Sequence, residues 1–271
     1  RRPMTTDSSP LHGLVRPHLL SLQPYSSARD EFSGQADVWL DANENPYPRP
    51  EHRYPDPWKR ELAAELCDLY GVTPDRLFIG HGSDEPIDLL VRAFCRPGTD
   101  RVGILPPTYG MYRVAASIHD VAVARFPLDP ETFQPDLAAL EPAFGDPELK
   151  LLFLCSPNNP TGTLLRRELV EQVLDRFNGI AVLDEAYIEY AWDEGWIPQL
   201  SRFPKLVVLR TLSKAWGAAG LRVGMAVGHP DVIGLLNRIR APYNLSTPTQ
   251  AAALERVRDR ASTAEQVAQT L

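Results

Sequence analysis

Cysteine is scarce in this chain of 271 residues: three thiols, Cys67, Cys95 and Cys155, stand far apart in apolar surroundings, with no CxxC pair. That spacing argues against a disulfide framework or a cysteine zinc site and fits buried thiols in a reducing compartment. Long apolar runs are missing too. None approaches the roughly 20 residues of a membrane-crossing helix, and none follows Arg1-Arg2 closely enough for a secretory leader. A cytoplasmic location, with no membrane partner, is the expectation. Basic charge is not in excess: the net charge of −7 argues against a nucleic-acid surface but leaves room for a local basic site that holds an anion. No repeat or low-complexity tract stands out. What remains is an ordinary globular composition, with enough chain for a sizeable core.

Alternating strand and helix patterns organise that core. Residues 1 to 36 are rich in Pro, Ser and Arg and read as an arm with a short helix in LHGLVRPHLLSL. VWLDANENPYP (38–48) reads as a short strand entering a polar loop, and WKRELAAELCDLYG (58–71) as a helix closed by Gly71. RLFIGHGSDEPIDLLVRAF (76–94) reads as strand, glycine turn and helix, with Ser83 as its N-cap. Strands are expected within 101–112 and 121–128, in LKLLFLC (149–155), in IAVLDEAYIEY (180–190), in KLVVLR (205–210) and in RVGMAVG (222–228). Helices are expected over 166–177 and 231–240. The continuous run LLFLC needs cover on both faces, so the fold class is α/β, three-layered, with a mostly parallel central sheet. The chain divides into the arm (1–36), a large domain (37–246) and the start of a linking helix (247–271).

In such a sheet, ligands bind at the carboxyl ends of the strands, where the polar residues of this chain gather. Lys214 follows KLVVLR among small neighbours that leave room for a planar group, and Arg222 can return a positive charge to the same place. A lysine partly desolvated near a second cation becomes a nucleophile able to condense with an aldehyde. An arbitrary Ser-Lys pair is more often a turn with a solvated lysine; here other stretches supply complementary parts. Asp184 ends a buried strand and wants a cation, which a protonated pyridine nitrogen would provide. Asn159 and Tyr187 can bond a phenolate oxygen, and Tyr109 can stack on a ring. Ser213, Arg222 and the helix start at Gly82-Ser83 can hold a phosphate. Together these match pyridoxal 5'-phosphate.

SPNNPTG, LDEAYIEY and TLSKAWGAAGLRVG, in this order, resemble the fold-type I pyridoxal-phosphate aminotransferases. LDANENPY, HRYPDP, PPTYGMY and APYNLSTP are most similar to the histidinol-phosphate aminotransferase branch of that family. The resemblance runs from about residue 24 to 271. It implies Lys214 as the lysine bonded to the cofactor and as the proton carrier, with Asp184 on the ring nitrogen. It also implies Asn159 and Tyr187 at the 3-hydroxyl and Tyr109 on the ring. The phosphate would lie among Gly82, Ser83, Asp84, Ser213 and Arg222. Tyr54 would reach the cofactor phosphate of the second subunit of a homodimer, and Tyr25 and Asn43 would face the substrate. The implied reaction exchanges an amino group between histidinol phosphate and 2-oxoglutarate, giving glutamate, with no metal.

Family members continue past the position where this chain stops into a small C-terminal domain that supplies substrate-binding arginines. The arginines within 256–260 read instead as the solvated face of a helix. Three alternatives stay open: a relative acting on an aromatic or phosphothreonine-type amino compound, a non-enzymatic cofactor-binding module, and a catalytically silent chain that keeps the fold.

Overall fold

Alternate side chains of LKLLFLC enter two different cores: Leu152 and Leu154 one, Leu151, Phe153 and Cys155 the other. That two-residue period places the strand in the middle of a covered sheet. The computed structural model describes residues 11–25, 34, 36–49, 51–191 and 193–271. Its strands are β1 (Leu77–His81), β2 (Arg101–Ile104), β3 (Ala122–Arg125), β4 (Leu149–Cys155), β5 (Ile180–Asp184), β6 (Leu206–Thr211) and β7 (Val223–Gly228). They form one sheet in the order β1-β7-β6-β5-β4-β2-β3. The expected α/β, three-layer architecture is present.

The helices are α1 (Pro17–Leu20), α2 (Arg60–Tyr70), α3 (Asp84–Phe94), α4 (Met111–Ile118), α5 (Leu137–Phe144), α6 (Arg167–Arg176), α7 (Pro230–Ile239), α8 (Thr247–Arg258) and α9 (Arg260–Thr270). One face of the sheet is covered by α2, α5, α6 and α8 through Leu66, Leu140, Val173 and Val257. The other is covered by α3, α4 and α7 through Leu90, Tyr112 and Leu236, with Leu11, Val15 and Leu19 of the arm added at its rim.

The sheet is mostly parallel, as expected, with β7 alone antiparallel to its neighbours β1 and β6. No crossover helix separates β6 from β7, only the short 3-10 turn Ala219–Leu221, so the chain must return beside itself in the opposite sense. Several expectations are corrected. Residues 38–48 form no strand, and Val38 and Leu40 are exposed. The strand expected over 180–190 stops at Asp184 and gives way to a 3-10 turn, Ile188–Tyr190. The helices α4 and α5 lie within stretches read as strand ends and connections. Ser83 stands at the N-cap of α3 but with helical dihedrals and no side-chain capping bond. The final pattern is two helices, broken at Asp259, whose carboxylate caps the second by accepting from the Ser262 N–H. Arg258 and Arg260, exposed as expected, also reach across to Glu65 and Asp68 on α2. Within the arm, residues 1–10, 26–33 and 35 lie outside the described residues.

Candidate active site

Four strand ends and the turns that follow them enclose a cavity of about 170 Å³. Ser83 and Asp84 enter it from the β1–α3 turn and Tyr109 from the segment before α4. Asn159 comes from the turn after β4, and Asp184 and Tyr187 from the end of β5. Ser213, Lys214 and Arg222 come from the β6–β7 connection. The structure thus brings together every pocket residue read from the sequence except Gly82, which adjoins it. Tyr54, Tyr25 and Asn43 are not among the lining side chains.

Asp184 is 2% exposed. The Tyr112 hydroxyl donates to its Oδ2 at 2.7 Å and the Ala186 N–H to its Oδ1 at 3.1 Å. Burial pushes its pKa above the ordinary carboxylate value, against those two hydrogen bonds. Among the described residues no cation lies within ion-pair distance of it. A buried carboxylate without a counter-charge is costly unless a ligand supplies one.

Lys214 lies with its Nζ 5.1 Å from the centroid of the Tyr187 ring. Its side chain is exposed, so the partial desolvation expected of it is not provided by the packing of this chain. The loop around it is nevertheless tightly closed: the Gly217 N–H donates to the Lys214 carbonyl at 2.9 Å and the Ala218 N–H to that of Leu212 at 3.0 Å.

The anion-holding corner is assembled from backbone and one guanidinium. Gly82 has φ +71°, a region that disfavours side chains, and a Cβ there would stand 2.8 Å from Arg222 Nη2. Behind it, a Cβ on Gly224 would meet the Ser83 nitrogen at 2.2 Å, so β7 can approach the β1–α3 turn this closely only as glycine. Arg222 donates to Ser213 Oγ at 3.3 Å and lies 3.5 Å from Asp84. Asp84 also accepts from the Tyr109 hydroxyl at 3.1 Å. Its carboxylate is therefore occupied by Tyr109 and Arg222, and what it can offer an anion is its backbone. Burial, then the Asp84 charge, raises the Tyr109 phenol to about 12.

Adjacent asparagines separate in role. Asn158 is buried, donating to the Pro107 carbonyl and to Thr161 Oγ1 at 2.9 Å each, and so folds the turn. Asn159 is the one that faces the cavity. Outside it, Tyr54 stacks on Tyr243 with ring centroids 4.6 Å apart and is half exposed. Tyr25 is exposed, and Asn43 adopts φ +52° in its loop.

Sequence reasoning missed Tyr112, Cys155 and Thr211. Tyr112 is fully buried, stacks on Phe153 at 4.6 Å and bonds Asp184 across 72 residues of sequence. The spacing Tyr112, Ala115, Ala116 marks a buried helix face, but nothing local points to the partner. Cys155 and Thr211 line the cavity as the last residues of β4 and β6.

An α/β sheet whose strand ends gather a lysine, a cation-free buried carboxylate and an uncapped helix start beside an arginine defines a protein built to hold an anionic, cationic-ring ligand next to an amine. The chain belongs to the class I and II aminotransferases, whose family model matches residues 26–271. It is 51% identical over 262 residues to a histidinol-phosphate aminotransferase of Parabacteroides distasonis, covering 96% of this chain and 75% of the relative. To the enzyme of the same name from Cytophaga hutchinsonii it is 47% identical over 249 residues, covering 90% and 71%. The solved histidinol-phosphate aminotransferase of Sinorhizobium meliloti, in complex with pyridoxal-5'-phosphate, superposes with TM-score 0.74 at 28% identity. That match covers 83% of this chain and 65% of the solved one.

Proposed function

We propose that this chain is a pyridoxal-phosphate-dependent aminotransferase that acts on histidinol phosphate with 2-oxoglutarate as amino acceptor. The single observation that carries the cofactor reading is Asp184, a buried carboxylate with hydrogen bonds but no counter-cation, in a cavity that also presents Lys214. The substrate rests on similarity to enzymes of that name.

The residues fit the group in charge and shape. Asp184 would hold a proton on the ring nitrogen, with Tyr112 and the Ala186 N–H fixing the carboxylate. Asn159 and Tyr187 would bond the 3-hydroxyl, and Tyr109 would cover the ring. Ser213, Arg222 and the backbone of Gly82, Ser83 and Asp84 would hold the phosphate, where the bare glycine leaves the N–H groups of the helix start open. When bound, the cofactor supplies an aldehyde carbon and a cationic ring that withdraws electrons from a substrate α-carbon bond. Lys214 Nζ would form the covalent attachment and, once displaced by substrate, carry the α-proton as base and then acid. Tyr54 lies outside the cavity of its own chain and is half exposed, which suits a contact to a second copy; we place the functional unit as a homodimer. Tyr25 and Asn43 are assigned to the substrate side. The division into arm (1–36), large domain (37–246) and linking helices (247–271) belongs to the same reading. Three free, buried cysteines fit a cytoplasmic location.

Four lysines, Lys59, Lys150, Lys205 and Lys214, make the test decisive. The amine nitrogen bonds the aldehyde carbon, the carbonyl oxygen leaves as water, and borohydride delivers hydride to that carbon. Peptide mapping after reduction should find the cofactor on Lys214. An adduct on Lys150 or Lys205 instead would overturn the assignment.

A further inference from the structure

On the face of the sheet opposite Asp184, a second polar cluster lies directly under the pocket. Glu185 is fully buried, and its Oε2 lies 2.7 Å from Arg210 Nη2. Arg210 Nη1 lies 3.6 Å from Glu189 Oε1. That same oxygen accepts from the indole Nε1–H of Trp216 at 3.4 Å. Trp216 is 5% exposed.

The chain positions of these four residues are informative. Glu185 follows Asp184, Glu189 sits two residues after Tyr187, Arg210 precedes the pocket residue Thr211, and Trp216 sits two residues after Lys214. β5 and β6 are adjacent and parallel, so their own ladder fixes Glu185 against Arg210. Beyond the strand ends no ladder exists. There a side-chain hydrogen bond, from Trp216 to Glu189, joins the 3-10 turn after Tyr187 to the loop holding Lys214. Two carboxylates against one guanidinium is an unbalanced set. Arg210 already has Glu185 at 2.7 Å, and the half-buried Glu189 stands farther off at 3.6 Å, so Glu189 is the weaker ionic partner. Its added consequence is geometric.

We propose that Trp216 and Glu189 are positioning residues: their hydrogen bond ties the Tyr187 turn to the Lys214 loop and so places the Lys214 amine for attack in the pocket. The proposal rests on the reading of Lys214 as the cofactor-bonding lysine, and the experiment separates the two. Trp216→Phe removes the N–H while keeping most of the ring. Glu189→Ala removes the acceptor yet leaves Arg210 paired with Glu185. Glu189→Gln removes the charge but keeps an oxygen that can accept.

Pyridoxal phosphate is added to each cofactor-stripped protein, and the rate of bond formation is read from absorbance, with borohydride trapping and peptide mapping in parallel. Trp216→Phe and Glu189→Ala should slow attachment to Lys214 by about ten- to a hundredfold, the scale of a misplacement near 1 Å. Glu189→Gln should stay near the unsubstituted rate, with melting temperatures alike across the set. Equal rates in all four proteins, with the adduct on Lys214, would overturn the proposal alone. So would Glu189→Gln proving as slow as Glu189→Ala, since charge and not the bond would then be at work. An unsubstituted protein with no adduct on Lys214 would remove the functional reading and this proposal together. If Trp216→Phe does not fold, Glu189→Ala against Glu189→Gln makes the same comparison.

Discussion

Asp184 and Glu185 are neighbours in sequence, both fully or nearly buried, and they face opposite sides of the sheet at the end of its central strand β5. Glu185 meets Arg210 at 2.7 Å and accepts from the Trp196 N–H at 2.7 Å. Asp184 meets a phenol and one backbone N–H, and among the described residues no cation within ion-pair distance. Burial raises both pKa values, Glu185 to about 7 in spite of its arginine. The difference teaches how to read buried charge. A carboxylate whose counter-ion is supplied by the chain belongs to the architecture, and one whose counter-ion is missing marks the place where a ligand must bring it.

Exchanging the carboxylate for an amide at each position tests that distinction most directly. Asp184→Asn should lower transamination of histidinol phosphate at least about a thousandfold, or roughly 4 kcal/mol of transition-state stabilisation. A neutral amide cannot hold a ring nitrogen in its protonated form. Glu185→Gln should leave the rate within about tenfold and act mainly on stability. If Asp184→Asn turned over normally in a steady-state assay, the role given to Asp184 would be wrong.

Arg210→Met tests the other half. It leaves Glu185 and Glu189 buried without their cation, a change that costs about 3–5 kcal/mol. Denaturant unfolding at pH 8 should show most of that loss. At pH 5 the gap should narrow, because Glu185, raised to about 7 by burial, takes up a proton above that pH and its burial no longer strands a charge. A gap independent of pH would mean that the loss came from packing instead.

How legible this was in the sequence depends on whether the information is local. Asp184 follows from an apolar run that stops at a polar residue, and Lys214 from its small neighbours, so much of the pocket's composition was readable, though Cys155 and Thr211, the ends of β4 and β6, were not. The loop over 38–48 was misread because Val38, Trp39 and Leu40 resemble a strand, while a strand requires a partner that only the fold supplies. Tyr112 and Arg210 were missed for one reason: each earns its role from residues on another strand or helix, and the register that joins them is invisible from either segment alone. The direction of β7 was not read from the sequence; strand–helix alternation breaks once, between β6 and β7, where glycines and small residues replace a helix.

Lys59 offers a third buried charge, and the gentlest test of the rule. It is 4% exposed, and its Nζ donates to the Pro57 carbonyl at 3.2 Å. Burial, then repulsion from Arg240, lowers its pKa to about 7; Glu85 and Asp56 oppose that only partly. Above the unfolded value of about 10.5 the lysine is neutral in both states and costs nothing. As pH falls from there towards 7, the unfolded chain binds a proton that the folded chain does not, and stability drops by up to about 1.4 kcal/mol per pH unit. Below 7 both states are protonated and the penalty is constant. Lys59→Met should abolish that slope while keeping the stem's packing. The stability difference between the two proteins, measured by denaturant at pH 7.5 and again at pH 9, should therefore shrink by about 1 kcal/mol per unit as pH rises, with the variant ahead at the lower pH. Taking the difference cancels the thiols and other groups that titrate in the same range. A difference that stayed flat between those two pH values would show that Lys59 is charged in the folded protein, held by the Pro57 carbonyl and the nearby Glu85 and Asp56 carboxylates.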